Sequence, residues 1–452
     1  MKHIILSSCF VLSSFFLYSQ IQYLRYNDDF SYLDTVSKKG LEKLKYIPAA
    51  KTVKLSLGGE VREQLQWYNN INFGDGPSTY VKTTTWQLWH RIMAHANLDL
   101  SQKLRIFMQL SSTYRFLNPN PLVPEIDQNK LSVHQAFLDY SIGTRFMVRT
   151  GRQEISYGSH RLITFREGPN TRLTFDAAVF KYLNRKRKID VFVICPVISR
   201  KAVFDDQHFK DVTLGFYGIE KLNKKLSVDY YFMHFHSKRR RYNFVAGTEN
   251  RQVSGFRLST ANQKMNYEIE FTYQFGKFNQ LAISAYGLSA DLHYNIPGKK
   301  NIVFGFAGNY MTGDKNINDK KLNTYNLLYS KPQYGLTAPI GATNMITASP
   351  YIKISPVRNY NMYVSTTLMW RQSTQDGTYN PGAVQVRPTP EYQQRCSEKQ
   401  LGTLVVMESN YTINPNLSLA VDASKFFAGN YVHKTGDGKD ITYLSFKASF
   451  KF

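Results

Sequence analysis

Residues 53–67 read VKLSLGGEVREQLQW, a stretch in which apolar and polar side chains alternate. A period of two places neighbouring side chains on opposite faces of a β-strand. The stretch therefore predicts a strand with one apolar and one polar face. A strand of a soluble sandwich shows the same alternation, usually over fewer residues. The apolar face would carry Val53, Leu55, Leu57, Val61, Leu65 and Trp67, and the polar face Lys54, Ser56, Glu60, Arg62, Gln64 and Gln66.

The same alternation continues to the end of the chain, where residues 442–452 read TYLSFKASFKF. Strands of roughly ten residues joined by tight turns suit a tilted hairpin that spans a membrane. A closing strand that ends in Phe resembles the terminal signal of outer-membrane barrels. The pattern predicts an all-β fold, a transmembrane antiparallel β-barrel of about 18 strands. We predict strands near 53–67, 85–100, 103–114, 132–142, 146–155, 174–183, 188–197, 210–220, 226–236, 251–261, 265–275, 280–293, 301–311, 347–357, 361–371, 400–413, 417–427 and 441–452.

Short and long connections alternate between these strands. Such asymmetry is typical of barrels with short periplasmic turns and long extracellular loops. One predicted connection, at Gly276-Lys277, is short where a long one is expected. The predicted long loops lie near 68–84, 115–131, 156–173, 198–209, 237–250, 312–346, 372–399 and 428–440.

The N-terminus has the pattern of an export signal. Met1-Lys2-His3 precedes an apolar run that ends in small residues near Ser19, which is typical of a cleaved signal peptide. We predict a signal peptide at 1–19, a periplasmic extension at 20–50 with one short helix in SKKGLEKLKYI, and a barrel over 51–452 in the outer membrane. Aromatic side chains make up 14% of the chain, which suits a barrel exposed to lipid.

The chain is strongly basic, with a formal net charge of +24. Such an excess predicts an anionic partner, which is a nucleic acid, a lipid head group or an acidic polymer. Export argues against a nucleic acid. Cys195 and Cys396 remain after removal of the signal peptide, and they either pair or stay as two free thiols.

Residues 151–176, GRQEISYGSHRLITFREGPNTRLTFD, concentrate arginine between two β-prone flanks. They predict either a solvated surface loop or an anion-contacting element at the mouth of a pore. Strict alternation points Arg152 toward lipid, and a bulge at Gly151 would turn it inward. Rings of inward Arg and Lys select anions, whereas mixed lumenal charges pair and stiffen the wall. Candidate pore-lining residues are Lys54, Arg62, Arg91, Arg105, Arg152, Arg161, Arg166, Arg172 and Arg371, and candidate lumenal acids are Glu60, Asp99, Glu268 and Glu270.

Other clusters carry weaker signals. His234 and His236 share one strand face, but two ligands do not make a metal site. The run Lys238–Arg241 lies in a predicted external loop, where it would meet outer-leaflet phosphate or solvent. No nucleophile elbow, phosphate-binding loop or Cys-His pattern is present, so the sequence predicts transport without catalysis, metal or cofactor.

Eight stretches spread over nearly the whole mature chain are distinctive when taken together. They are LSLGGEVRE (55–63), GRQEISYGSHRL (151–162), REGPNTRLTFDA (166–177), GNYMTGDKN (308–316), YNLLYSKPQYG (325–335), ATNMITASP (342–350), WRQSTQDGTYNPG (370–382) and FFAGNYV (426–432). Together these stretches resemble the alginate export family of outer-membrane proteins. The resemblance implies an 18-stranded barrel whose arginine-rich, electropositive pore passes anionic polyuronate. It also implies pore-lining roles for Arg91, Arg152, Arg172 and Arg371.

The expected function is an outer-membrane channel for an alginate-like anionic polysaccharide. Expected partners are that polymer, outer-membrane lipid and lipopolysaccharide, the barrel assembly machinery and periplasmic polymer-handling proteins. The alternatives are a general anion-selective porin, a surface-binding barrel with a plugged lumen, and an outer-membrane hydrolase. A passive pore has no intrinsic direction, so the residues leave export and uptake equally open.

Overall fold

A computed structural model describes residues 21–75, 84–117, 127–208, 211–298, 301–337, 339–387 and 396–452. The predicted signal peptide at 1–19 lies outside these ranges. Within them, 18 long antiparallel strands form one sheet in which each strand pairs with its neighbours in sequence. The last strand pairs with the first, for example Phe450 with Val61, which closes the barrel.

The barrel strands are β1 (Lys54–Asn69), β2 (Thr85–Asp99), β3 (Leu104–Phe116), β4 (Asn129–Ile142), β5 (Phe146–Gln153), β6 (Phe175–Leu183), β7 (Arg187–Ile198), β8 (Val212–Lys221), β9 (Leu226–Tyr242), β10 (Val245–Thr260), β11 (Met265–Phe278), β12 (Leu281–Ile296), β13 (Ile302–Met311), β14 (Met345–Val357), β15 (Tyr360–Arg371), β16 (Gln400–Thr412), β17 (Leu417–Ala428) and β18 (Ile441–Lys451). Each of the predicted strands corresponds to one of these, and the all-β barrel prediction is confirmed.

Short elements decorate the barrel. The predicted helix in the N-terminal extension is a 3-10 turn, Gly40–Leu44. In the described part of the chain, no helix is both long and apolar enough to cross a membrane. The remaining short elements are the 3-10 turns Arg25–Asn27, Ser31–Asp34 and Ile71–Gly74, the α-helix Asn430–Lys434, and the short strands Ile47–Pro48, Gln207–His208, Lys321–Leu322, Thr378–Tyr379 and Gln385–Arg387.

The barrel buries polar side chains and exposes apolar ones, which is the reverse of the arrangement in a soluble protein. On β2, Arg91 is 0% exposed, whereas its neighbour Ile92 is 42% exposed. The polar face of β1 is likewise buried, and its apolar face is partly exposed. A barrel in lipid turns its apolar face outward and keeps polar side chains in the lumen. The face assignment made from residues 53–67 is therefore confirmed.

Two predicted connections are wrong, because strands continue through them. The segment 237–250 is a hairpin in which β9 and β10 meet at a turn of Asn243 and Phe244, both with positive φ. A register shift between Ser237 and Arg240 accommodates the basic run. The connection expected at Gly276-Lys277 also lies within a strand, and its turn comes later, at residues 279–280. Paired backbone groups override the loop-like composition of both segments.

Gly151 does not form the expected bulge. Its strand pairs in continuous register on both sides, with Gly151 opposite Phe137 and Ala177. The glycine is required for another reason, since its φ is +121° and an added Cβ would lie 2.3 Å from the carbonyl oxygen of Ala136. Only glycine adopts such a backbone at low energetic cost.

We predict that Gly151→Ala destabilises the folded barrel by on the order of 1–3 kcal/mol, because it combines backbone strain with a backbone clash. The measurement is the temperature at which the folded, fast-migrating band is lost on a heat-modifiability gel. Gly308→Ala is the matched control, since that glycine has an ordinary φ and its added Cβ would meet Thr347 O at 3.3 Å. Equal melting of the two variants would contradict the prediction.

Candidate functional site

The connection between β5 and β6, residues 154–174, folds into the barrel, and we name it the central loop. It hydrogen-bonds to the connection at 312–344, with Tyr329 N donating to Leu162 O at 2.8 Å and Arg166 Nε donating to Ser330 O at 2.8 Å. Ile163 is 1% exposed among other apolar side chains of both loops. The basic stretch predicted to lie at the mouth therefore occupies the lumen and narrows it.

The connection that bonds to the central loop, at 312–344, is bonded in turn to the connection after β15. Asn344 Nδ2 donates to the carbonyl oxygens of Ser373, Asp376 and Gly377 at 2.9–3.1 Å. Gly341 N donates to Tyr379 O at 2.6 Å. These bonds join the connections that follow β13 and β15, so these two connections and the central loop form one hydrogen-bonded unit.

Three predicted pore-lining residues, Arg62, Arg91 and Arg172, meet around one carboxylate, and we name them the arginine cluster. Arg62 and Arg91 project inward from β1 and β2, and Arg172 comes from the central loop. The carboxylate is Glu167, also on the central loop. Its Oε1 lies 2.5 Å from Arg91 Nη2 and 3.4 Å from Arg62 Nη1, and its Oε2 contacts Arg172.

Two further acids complete the network. Glu60 Oε1 lies 2.7 Å from Arg91 Nη2, and Glu154 Oε1 lies 3.4 Å from Arg172 Nη1. His134 Nε2 lies 2.8 Å from the same oxygen of Glu154. Sequence reasoning missed Glu154, Glu167 and His134, although both glutamates stand in the quoted stretch 151–176. Buried charges need close partners, and this pairing meets that requirement.

The electrostatics distinguish Glu167 from its partners. Burial acts to raise the pKa of Glu167, but Arg172 and Arg91 outweigh it and lower the pKa to about 2. Burial likewise opposes the charge of Arg172, yet the surrounding glutamates raise the pKa of its guanidinium. The Glu167 side chain is 36% exposed, whereas those of the arginine cluster are at most 3% exposed. Glu167 therefore covers the arginine cluster and is more accessible than any of its three arginines.

Arg105 and Arg161 are also ion-paired inside the barrel. Arg105 Nε donates to Asp139 Oδ2 at 2.9 Å, and Arg149, which sequence reasoning missed, contacts the same carboxylate at 2.6 Å. Arg161 lies 3.6 Å from Glu268. Arg166 is held by Ser330, as described above, and its pKa is lowered to about 10 by burial and by a nearby arginine.

Other predicted residues lie away from the arginine cluster. Lys54 is at the short-turn end, 2.7 Å from Asp34. Arg152 lies on the opposite face of β5 from the buried Arg149 and forms a two-pronged pair with Asp176 at 2.8 and 3.1 Å. Arg152 therefore has the outward direction that strict alternation predicts, and the alternative of an inward turn at a bulge is wrong, because no bulge interrupts the strand.

Arg371 donates hydrogen bonds to backbone carbonyl oxygens of a loop rather than to a carboxylate. Its guanidinium donates to the carbonyl oxygens of Glu398 at 3.1 Å and Asp376 at 2.9 Å, and it stacks 3.9 Å from the ring centroid of Tyr431. It thereby ties the connection after β15 to the connection after β17. A role of Arg371 in ion selectivity stays a prediction.

The weaker clusters have structural partners. His234 Nδ1 lies 3.1 Å from Gln252, and His236 Nδ1 lies 2.8 Å from Asn250. Among the described residues, no three His, Cys, Asp or Glu side chains converge in a metal-binding arrangement. Cys195 and Cys396 are both free thiols. Arg240, within the basic run, forms an ion pair with Asp211 at 3.8 Å.

Comparison with solved structures identifies the fold. The chain is similar to a BenF-like porin from Pseudomonas fluorescens Pf-5, with a TM-score of 0.60, 9% identity and coverage of 88% of this chain and 98% of that one. It is also similar to Pseudomonas aeruginosa OccD3 (OpdP), with a TM-score of 0.58, 10% identity and coverage of 96% and 99%. At such identities the likeness establishes a porin-type barrel fold.

Comparison with curated proteins finds no match. The profile of the Alginate export family, in contrast, matches residues 53–444, which span nearly the whole barrel. Together with the porin-type fold, this match implies an outer-membrane location. The chain belongs to the Alginate export family.

Proposed function

We propose that this protein is an outer-membrane channel that passes an anionic polysaccharide of the polyuronate class. Family membership supports an export-type channel, and the formal net charge of +24 supports a polyanionic cargo. The observation that carries the proposal is the arginine cluster, in which buried guanidinium groups hold the accessible carboxylate of Glu167.

Glu167 is the internal stand-in for a cargo carboxylate. It sits on a loop, whereas Arg62 and Arg91 sit on barrel strands, so displacement of the loop would uncover donors on a rigid wall. A uronate carboxylate matches the planar fork of arginine as well as a glutamate does. Competition with Glu167 keeps each contact weak, and weak successive contacts are what conduction of a charged polymer requires.

The decisive experiment is block of single-channel current in planar bilayers. Oligouronates should block the current at low concentration, and neutral oligosaccharides of equal length should not. A general anion-selective porin would conduct chloride without polymer block, and a plugged surface-binding barrel would show no conductance. Either result would overturn the proposal.

Arg91→Gln should weaken oligouronate block by roughly tenfold, the factor that about 1.4 kcal/mol corresponds to. This change removes the closest partner of the buried Glu60 and leaves it the longer ion pair with Arg172, at 3.7 Å. The double variant Glu60→Gln/Arg91→Gln should therefore be measured beside it. Arg152→Gln is the matched control, since its pair with Asp176 lies on the outer face. Block that weakens equally in all three variants would contradict a specific role of the cluster.

Glu167→Gln should raise the anion-over-cation permeability ratio by roughly two- to tenfold, since one charge is worth on the order of 1 kcal/mol in a hydrated pore. The measurement is the reversal potential under a salt gradient, and the effect should shrink at high salt. Glu63→Gln is the control, because it removes the same charge from the opposite face of β1, where Glu63 pairs with His90. An unchanged ratio in Glu167→Gln would refute the stand-in role.

The difference between wild type and Glu167→Gln should persist from pH 7 to about pH 4. A carboxylate with a lowered pKa stabilises the fold above its ordinary value of 4.5, and that stabilisation is lost as the pH falls through about 2. Glu167 therefore stays ionised across this window. If the two proteins converge in selectivity at pH 4, the ion pairs around Glu167 are weaker than the geometry indicates.

A further inference from the structure

Residues 21–50, which we name the N-terminal segment, enter the barrel at the short-turn end. The ring of Tyr26 is 8% exposed and packs edge-on against Phe107 of β3 and Phe137 of β4, with centroids 6.1 and 5.3 Å apart. The guanidinium of Arg149 lies 4.1 Å from the centroid of the same ring. Tyr26 is therefore seated on the inner wall and covered on several sides.

Tyr26 also joins the central loop to the segment. Its hydroxyl donates to Glu154 O at 2.9 Å, and its own carbonyl oxygen accepts from Arg105 Nη1 at 2.8 Å. The carbonyl oxygen of Tyr23 accepts from Arg172 at 3.5 Å. The segment thus contacts the arginine cluster on the side that faces the short-turn end. A solute that enters from that end meets the segment before it meets the cluster.

Arg25 fastens the segment to the seam where the barrel closes. Its two terminal nitrogens donate to Gly59 O and Phe452 O, each at 2.8 Å, and its Nε pairs with Asp28 at 2.9 Å. Gly59 and Phe452 already exchange their own backbone hydrogen bonds at 2.9 and 3.0 Å. Release of Arg25 therefore leaves the seam paired.

Residues 47–53 connect the rest of the segment to the first barrel strand and can act as a hinge. Ile47 and Pro48 pair with Leu55 and Lys54 at the start of β1, after a turn in which Val53 N donates to Ala50 O at 3.2 Å. Residues before Ile47 can leave the lumen while this pairing holds. Residues 21–46 contact the barrel wall through side-chain contacts. The long barrel strands begin only later in the chain, at Lys54.

We propose that the N-terminal segment is a displaceable constriction that narrows the periplasmic mouth of the resting channel and opens by withdrawal of residues 21–46. Arg25 is its latch and Tyr26 its anchor. The arc that it covers runs from β18 through β1 to β5, on the side of the lumen that carries the arginine cluster. Withdrawal would clear the path from the periplasm to that cluster.

Single-channel conductance in KCl tests this proposal without any polymer. Deletion of residues 21–46, and Arg25→Ala/Tyr26→Ala in the full chain, should raise the conductance by on the order of twofold, because an 18-stranded barrel is wide enough for an aqueous channel once cleared. Lys43→Ala/Tyr32→Ala is the matched control. It removes one positive charge and one phenol from exposed positions of the same segment. Wild-type conductance in the deletion variant, with the folded band intact on gels, would overturn the proposal.

Thiol accessibility supplies a second measurement. In a Cys195→Ser/Cys396→Ser background, Leu33→Cys, at a position of the segment that is 2% exposed, should react slowly with a bulky maleimide added from the short-turn side. Adding Arg25→Ala should speed that reaction at least tenfold, whereas adding Lys43→Ala should not. Fast labelling with Arg25 intact would show that the segment does not rest in the lumen. Because neither measurement uses a polyuronate, each outcome is independent of the proposed cargo.

Discussion

Pairing of the last strand with the first is the constraint on which the structure depends. A strand in lipid has no water to satisfy an unpaired N–H or C=O group, so a spanning sheet must close. Here Phe450 pairs with Val61, and Gly59 exchanges backbone hydrogen bonds with Phe452. Closure encloses a lumen, and the alternation of side chains then places polar residues on the face that lines it. The polar inner face of the barrel wall follows from that assignment.

The lumen must neutralise the charges that it encloses. Inward positions on β1 and β2 bring Glu60, Arg62 and Arg91 together, and two arginines against one acid leave an excess of positive charge. The central loop adds Arg172 with Glu154 and Glu167, which brings the group of arginines and glutamates to formal neutrality. The same loop carries Ile163 and its neighbours, whose apolar packing holds the acids in place. Charge balance and hydrophobic burial thus stabilise the same inward fold of the loop.

The N-terminal segment and the central loop meet inside the barrel from opposite ends. Their contact runs through Tyr26, whose hydroxyl reaches Glu154 O, and through Arg172, which reaches Tyr23 O. The central loop covers the arginine cluster with the carboxylate of Glu167. The N-terminal segment places the ring of Tyr26 between the cluster and the short-turn end. Each element is therefore held in the lumen partly by the other. The cluster is covered by chain that lies outside the barrel strands.

The sequence by itself determined the barrel, because the period of two and the rhythm of turns are local properties of the backbone. It also located the inward Arg62 and Arg91, whose faces follow from alternation. Only the tertiary structure decided their partners, since Glu167 lies 76 residues from Arg91 and reaches it because the central loop turns inward. Alternation also pointed Arg152 outward, but its partner Asp176 and the contacts of Arg371 with loop carbonyl oxygens depend on long-range structure and were hidden. The hairpin at residues 237–250 was hidden too, because cross-strand hydrogen bonds overrode a loop-like composition. Local pattern specifies which face a residue occupies, and long-range contact specifies what it meets there.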